Sequence, residues 1–223
     1  MIEFNNVYFS YKNQPVLNDA TFKVEKGDFS FLIGRSGAGK STIFQMIYAN
    51  IFPSEGTVNV GDYITKNIKE KDIPNLRRQV GIIFQDFRIL SDRNIYDNLA
   101  FILQVTNAKK KVIKKRVFNV LSDVGLVHRQ KSFASELSGG EKQRIAIARA
   151  IINDPPIIIA DEPTGNLDPE TTQEILDILI KINKRGTTVL FATHNYDLVE
   201  RTDGKVFRIK DSKITELNTQ SKF

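Results

Sequence analysis

Gly34-Arg35-Ser36-Gly37-Ala38-Gly39-Lys40-Ser41 is the stretch on which the fold turns. It satisfies the pattern G-x-x-x-x-G-K-[ST] in full. The apolar run 29–33 precedes it, and a helical pattern over 41–48 follows it. Strand, glycine loop and helix form the setting in which this pattern cradles a phosphate chain. Glycines let the backbone aim successive N–H groups at phosphate oxygens. The helix N-terminus adds its partial positive charge. Lys40 is then placed to reach the β and γ phosphates, and Ser41, with Thr42 beside it, to set a hydroxyl on Mg²⁺. The plain alternative is a glycine-rich turn that only caps a helix. It is disfavoured because pattern and setting are both present.

Downstream, residues 157–160 form an apolar, buried type of strand that ends in Asp161-Glu162. An aspartate at such a strand end can hold Mg²⁺ through water, and the adjoining glutamate can polarise an attacking water. A strand that simply ends in solvated acids is common. The complete phosphate loop upstream turns the balance toward phosphoryl chemistry.

The rest of the chain fits an α/β core around these two segments. Residues 2–11, 20–24 and 29–33 read as strands, with a turn at Lys26-Gly27. Residues 80–84 read as a short apolar strand. From 86 to 135 the pattern is mostly helical, with Ile113, Val117, Val120, Leu121 and Val124 forming one stripe and Gly125 a stop. Ser138 is placed to N-cap a helix over 141–151. Pro169 opens another helix with Asp168 as N-cap, carrying Ile175, Leu176, Leu179 and Ile182 inward and ending at Gly186. Residues 189–192 read as a buried strand, and 205–209 with 213–217 as a hairpin turning at Asp211-Ser212. The expected fold is an α/β nucleoside triphosphatase core with an antiparallel β lobe and a helical insertion. Residues 1–85 and 136–223 supply the core and lobe, and residues 86–135 the insertion.

Composition narrows the classes. The 223 residues suffice for one sizeable core. The absence of cysteine excludes disulfides, thiolate metal sites and cysteine nucleophiles. A net charge of +6 suggests anionic partners without choosing among nucleotides, membrane surfaces and nucleic acid. Much of the excess lies in Lys109, Lys110, Lys111, Lys114, Lys115 and Arg116, which a solvated helix face explains better than nucleic acid binding. No nucleic acid partner is expected. The N-terminus lacks the basic start and apolar run of a signal peptide. No stretch approaches the ~18 apolar residues of a spanning helix, so work at a membrane would need another protein as anchor.

Leu137-Ser138-Gly139-Gly140-Glu141, lying between the glycine loop and the paired acids, resembles the LSGGQ signature of the ABC (ATP-binding cassette) ATPase family. Glu141 replaces the commonest glutamine. The resemblance covers essentially the whole chain and implies ATP and Mg²⁺ as ligands. It implies that Tyr11 stacks on adenine, that Gln85 senses Mg²⁺ and the attacking water, and that His194 contacts the γ-phosphate. Ser138, Gly139 and Gly140 would contact the ATP held by a second copy of the chain. Asn166-Leu167-Asp168 would cross the interface of that homodimer. His128, the other histidine, sits in a polar turn and reads as surface.

Within the family, Phe84-Gln85-Asp86-Phe87-Arg88-Ile89-Leu90 resembles the cell-division branch, with Ser91 where many relatives have proline. That branch implies an integral membrane partner and control of cell-wall hydrolysis, from the cytoplasmic face of the membrane. Phe87, Ile89 and Leu90 would receive the partner. An ATPase of the lipoprotein-release or macrolide-exporter type, and a nucleotide-gated scaffold with negligible turnover, are the alternatives. Intact Glu162 and His194 favour turnover.

Overall fold

The computed structural model describes residues 1–12 and 14–217. The chain runs β1 (Ile2–Tyr11), β2 (Gln14–Val24), β3 (Phe29–Ile33), α1 (Lys40–Ile47), β4 (Glu55–Val60), β5 (Tyr63–Ile64), α2 (Ile73–Arg78), β6 (Val80–Ile83), α3 (Ile95–Val105) and α4 (Lys110–Asp123). It continues with α5 (Gly139–Ile151), β7 (Ile157–Asp161), α6 (Pro169–Asn183), β8 (Thr188–Thr193), α7 (Tyr196–Glu200), β9 (Lys205–Lys210) and β10 (Lys213–Leu217). Short 3₁₀ turns connect several of these.

Two sheets result. One is antiparallel, in the order β2-β1-β4-β5. The other has the order β10-β9-β3-β8-β7-β6, parallel except for the β9–β10 hairpin. Its central strands are covered on both faces, which is why they read as unbroken apolar runs. Alternation divides each strand between two cores. Ile157 and Ile159 of β7 face the antiparallel lobe and α1, while Ile158 and Ala160 face the side where α3 to α6 lie. Leu190 and Ala192 of β8 point to the first core, Val189 and Phe191 to the second.

The helices carry the signals expected of them. Asp168 caps α6 by accepting from the Thr171 N–H at 2.9 Å, with Pro169 at the first position. The inward stripe of α6, Ile175, Leu176, Leu179 and Ile182, is buried. The stripe of α4 is buried as well, and Gly125 follows it at φ 73°. Asp211 and Ser212 both adopt positive φ in the hairpin turn.

Three expectations need correction. β2 starts at Gln14 rather than residue 20, because residues 14–19, which do not alternate, pair along β1 as far as Tyr11↔Gln14. Residues 86–94 are not helical. Phe87 and Arg88 stand at φ 55° and 51°, in the left-handed region that no right-handed helix can include. Helix begins only at α3, where the Asn94 side chain accepts from the Asp97 N–H. Finally, the basic stretch is not wholly a solvated face. The lysines are exposed, but Arg116 turns inward and donates to the carbonyls of Ile151 and Ile152 at 2.8 and 2.7 Å. It thereby satisfies the C-terminal end of α5.

Candidate active site

The parallel strands β3, β6, β7 and β8 all point their C-terminal ends to one edge of the sheet, the edge where open α/β sheets bind ligands. β3 delivers the glycine loop, β6 delivers Gln85, β7 delivers Asp161 and Glu162, and β8 delivers His194. Residues far apart in the chain are thus assembled by strand order.

The loop runs from β3 into α1 through Gly39, at φ 110°. A side chain there would strain the backbone, and its Cβ would lie 2.8 Å from Val16 Cγ1. No side chain caps α1, so its first N–H groups are left for an anion, as a phosphate site requires. Lys40 is 6% exposed, and a buried ammonium must be paired. Its Nζ donates to the carbonyls of Gly34 at 2.7 Å and Arg35 at 3.2 Å and lies 3.2 Å from Glu162 Oε1.

Ser41 Oγ donates to Asp161 Oδ2 at 2.8 Å, although the two lie 120 positions apart. Burial raises the Asp161 pKa above the ordinary carboxylate range. The Ser41 hydroxyl and Lys40 oppose that rise, and the Glu162 charge adds to it. Glu162 stands at φ 46°. Its second oxygen lies 2.9 Å from His194 Nδ1 and accepts from the His194 backbone N–H at 3.3 Å.

A cavity of about 370 Å³ is lined by Tyr11, Ser36, Gly37, Gly39, Lys40, Ser41, Thr42, Gln85, Asp161 and Glu162. Gln14 and Val16 of β2 line it too. A β2 expected to start at residue 20 leaves them out, because residues 14–19 place Val16 and Leu17 side by side and carry no alternating signal. An adjoining space of about 380 Å³ is bounded by Gly34, Arg35, Ser36, Gln85, Glu162 and His194, joined by Tyr196. Ala38 is half-buried against the core beneath the loop. Tyr11 is 45% exposed and meets Phe9 edge to face at 4.8 Å, which leaves ring surface open to a flat ligand.

Among the described residues, no group of three or more His, Cys, Asp or Glu side chains could hold a metal. The Ser41–Asp161 pair suits Mg²⁺ nonetheless. That ion binds through one or two protein oxygens, with phosphate and water completing its octahedron.

Ser138, Gly139 and Gly140 line neither space. They open α5 beside Leu167 and Thr171. Ser138 Oγ accepts from the Glu141 N–H at 3.2 Å, and Glu141 Oε2 accepts from the Ser138 N–H at 2.9 Å. Ser138 and Glu141 thus cap α5 reciprocally in the S-x-x-E pattern, beyond the Ser138 cap expected from the sequence. Beyond Gln85, Leu90 is 41% exposed, Phe87 is half-buried, and Ile89 packs against the core. Arg88 lies 3.7 Å over the Phe84 ring, and Arg149 of α5 donates to the Arg88 carbonyl. His128 is exposed, as expected.

Comparison with known proteins places this arrangement. Residues 17–165 match the family described as ABC transporter. The cell division ATP-binding protein FtsE of Bacillus subtilis (strain 168) is 44% identical over 224 residues, covering 100% of this chain and 98% of that protein. FtsE of Escherichia coli (strain K12) is 40% identical, covering 96% and 97%. Among solved structures, the dimeric ATP-binding cassette MJ0796 in a post-hydrolysis state with ADP and Pi superposes with a TM-score of 0.87 at 29% identity. The match covers 98% of this chain and 99% of that one. CbiO1 from Clostridium perfringens, part of the cbiONQ transporter complex, gives a TM-score of 0.91 at 29% identity, covering 98% and 88%.

Proposed function

The chain belongs to the ABC transporter family and is an ATP-hydrolysing, ATP-binding subunit; from this premise we propose that it drives a cell-division membrane complex as a homodimer with two shared sites. The family match and the full-length likeness to FtsE proteins support the division role. The dimeric cassette supports the homodimer. The membrane partner is an integral protein of the FtsX type, and the ATPase works on the cytoplasmic face, in control of cell-wall hydrolysis.

One observation carries the shared-site reading. The glycine loop, Tyr11, Gln85, Asp161, Glu162 and His194 converge on adjoining spaces, while Ser138, Gly139 and Gly140 line neither. Each chain therefore presents one half-site that grips a nucleotide and another that can close over a partner's.

The residues divide the work as follows. Tyr11 stacks on the base. The loop N–H groups and Lys40 hold the phosphate chain, with Lys40 exchanging the Gly34 and Arg35 carbonyls for phosphate oxygens. Ser41, Asp161 and Gln85 would hold Mg²⁺, which would supply positive charge to neutralise the phosphates. Glu162 orients and polarises the water. His194 keeps that carboxylate in place and reaches toward the γ-phosphate. Ser138 Oγ accepts from the Glu141 N–H, which leaves the Ser138 O–H to donate to an anion.

Mixing mutants tests the shared site. A Lys40→Ala chain and a Ser138→Arg chain should each be nearly inactive alone. Together they should regain activity, because one of the two sites in a mixed dimer contains neither change. If demonstrably formed heterodimers release no phosphate, the shared-site reading is wrong.

A further inference from the structure

Glu141 sets an electrostatic problem. A helix N-terminus attracts anions through its unpaired N–H groups and its dipole. A carboxylate in the first turn takes up that same favourable charge and repels a phosphate. Glu141 is such a carboxylate, one turn from Ser138 at the start of α5. Its side chain is half-buried. The Ser138 N–H, with Arg129 contributing, holds its pKa below the ordinary range despite partial burial. It is therefore ionised at neutral pH.

The structure also holds a remedy. Arg129, on the 3₁₀ turn Val127–Arg129, places Nε 2.8 Å from Glu141 Oε1. The other carboxylate oxygen takes the Ser138 N–H. Each oxygen thus has its own donor, from separate segments of chain. Arg129 is itself 37% exposed. Its position bears on charge at the end of α5.

We propose that Arg129 is a positioning residue for the signature: its guanidinium neutralises Glu141 and holds the capping carboxylate aside, so that Ser138, Gly139 and Gly140 present a net positive helix end to the γ-phosphate held by a second copy of the chain. The proposal rests on the reading of Ser138, Gly139 and Gly140 as that half-site. It also accounts for why glutamate serves where the family more commonly has glutamine. An amide can accept the same Ser138 N–H but brings no charge, and so needs no arginine.

Rescue provides the test. In the full-length chain, Arg129→Ala should lower kcat/KM for ATP by about tenfold, the size of a favourable charge effect at a helix end. Binding of a fluorescent ATP analogue to the isolated chain should be unchanged, because Lys40 and Tyr11 lie in the other half-site. Adding Glu141→Gln to Arg129→Ala should restore turnover, since the unpaired charge is gone. A double variant no better than Arg129→Ala, or an Arg129→Ala chain with full activity, overturns the proposal. If Arg129→Ala fails to fold, Arg129→Gln is read by the same criteria. Ser138→Arg separates the two levels of argument. If it is inactive while Arg129→Ala is fully active, only the role of Arg129 falls. If Ser138→Arg is also fully active, the half-site reading itself falls.

Discussion

Glu162 shows how much one side chain is constrained. Its backbone sits at φ 46°, a region that costs a non-glycine residue on the order of 1–3 kcal/mol. Its carboxylate is held from both sides, by Lys40 at 3.2 Å and by His194 at 2.9 Å. The backbone adds two more restraints, with the Glu162 N–H donating to the Ala192 carbonyl and its own carbonyl accepting from Gly165. A carboxylate fixed this firmly suits a base that must meet a water in one orientation. Glu162→Gln keeps size and hydrogen bonding but removes the basicity. It should preserve ATP binding, cut turnover by about 10²–10⁴-fold, and lengthen the lifetime of the ATP-bound dimer. Steady-state phosphate release at saturating Mg-ATP is the measurement. Release near the unsubstituted rate would remove Glu162 from the role of base.

Helix α5 links the two proposed half-sites. Its 13 residues span about 20 Å at ~1.5 Å per residue. The N-terminus carries Ser138, Gly139 and Gly140. Near the C-terminus, Arg149 donates to the Arg88 carbonyl, just past Gln85. Burial and the nearby Arg88 lower the Arg149 pKa, yet an arginine remains charged. Strand β6, which leads into Gln85, lies tightly against this helix. A Cβ on Gly81 would stand 2.5 Å from the Ala150 carbonyl oxygen and 3.0 Å from Pro155 Cγ. Since backbone cannot yield as a flexible side chain can, Gly81→Ala should destabilise the fold by ~1–3 kcal/mol. Urea unfolding should show a lower midpoint with the same slope. An unchanged midpoint would mean that β6 and α5 have room the structure does not show.

In the proposed division complex, the molecule as a whole would pass its work to a membrane partner through a surface. Among the described residues, no helix is long and apolar enough to cross a bilayer. The loop after Gln85 is the proposed contact. Leu90 is exposed and Phe87 half-buried, on a backbone that turns left-handed at Phe87 and Arg88. Phe87→Asp would place a charge in an apolar contact. It should abolish co-sedimentation with membranes carrying the partner and leave nucleotide affinity of the isolated chain intact. Leu90→Asp, at the more exposed position, guards against a folding defect and should behave alike. Normal sedimentation of both would exclude this surface. Loss of nucleotide binding with Phe87→Asp would mark Phe87 as a core residue instead.

Much of the architecture was legible in the chain because it is locally encoded. The glycine loop, the Asp168-Pro169 helix start, the α4 and α6 stripes and the hairpin at Asp211-Ser212 each depend on backbone preferences and spacings within a few residues. The α/β fold class followed from their order. The first half of β2 was not legible, since pairing with β1 rather than periodicity holds residues 14–19 extended. Nor was the loop at 86–94, whose apolar residues imitate a helical pattern while Phe87 and Arg88 stand at positive φ. The strand end pointed to Asp161 and Glu162 and the resemblance to Gln85 and His194, but only the sheet brings their side chains together beside Lys40. The Ser41–Asp161 hydrogen bond spans 120 positions because β7, not β6, lies one strand from β8 and two from β3. Arg129 on Glu141 and Arg116 on the end of α5 were likewise invisible. Such contacts join segments whose local conformations do not depend on one another. Strand order and helix packing choose them, through the burial of the whole core.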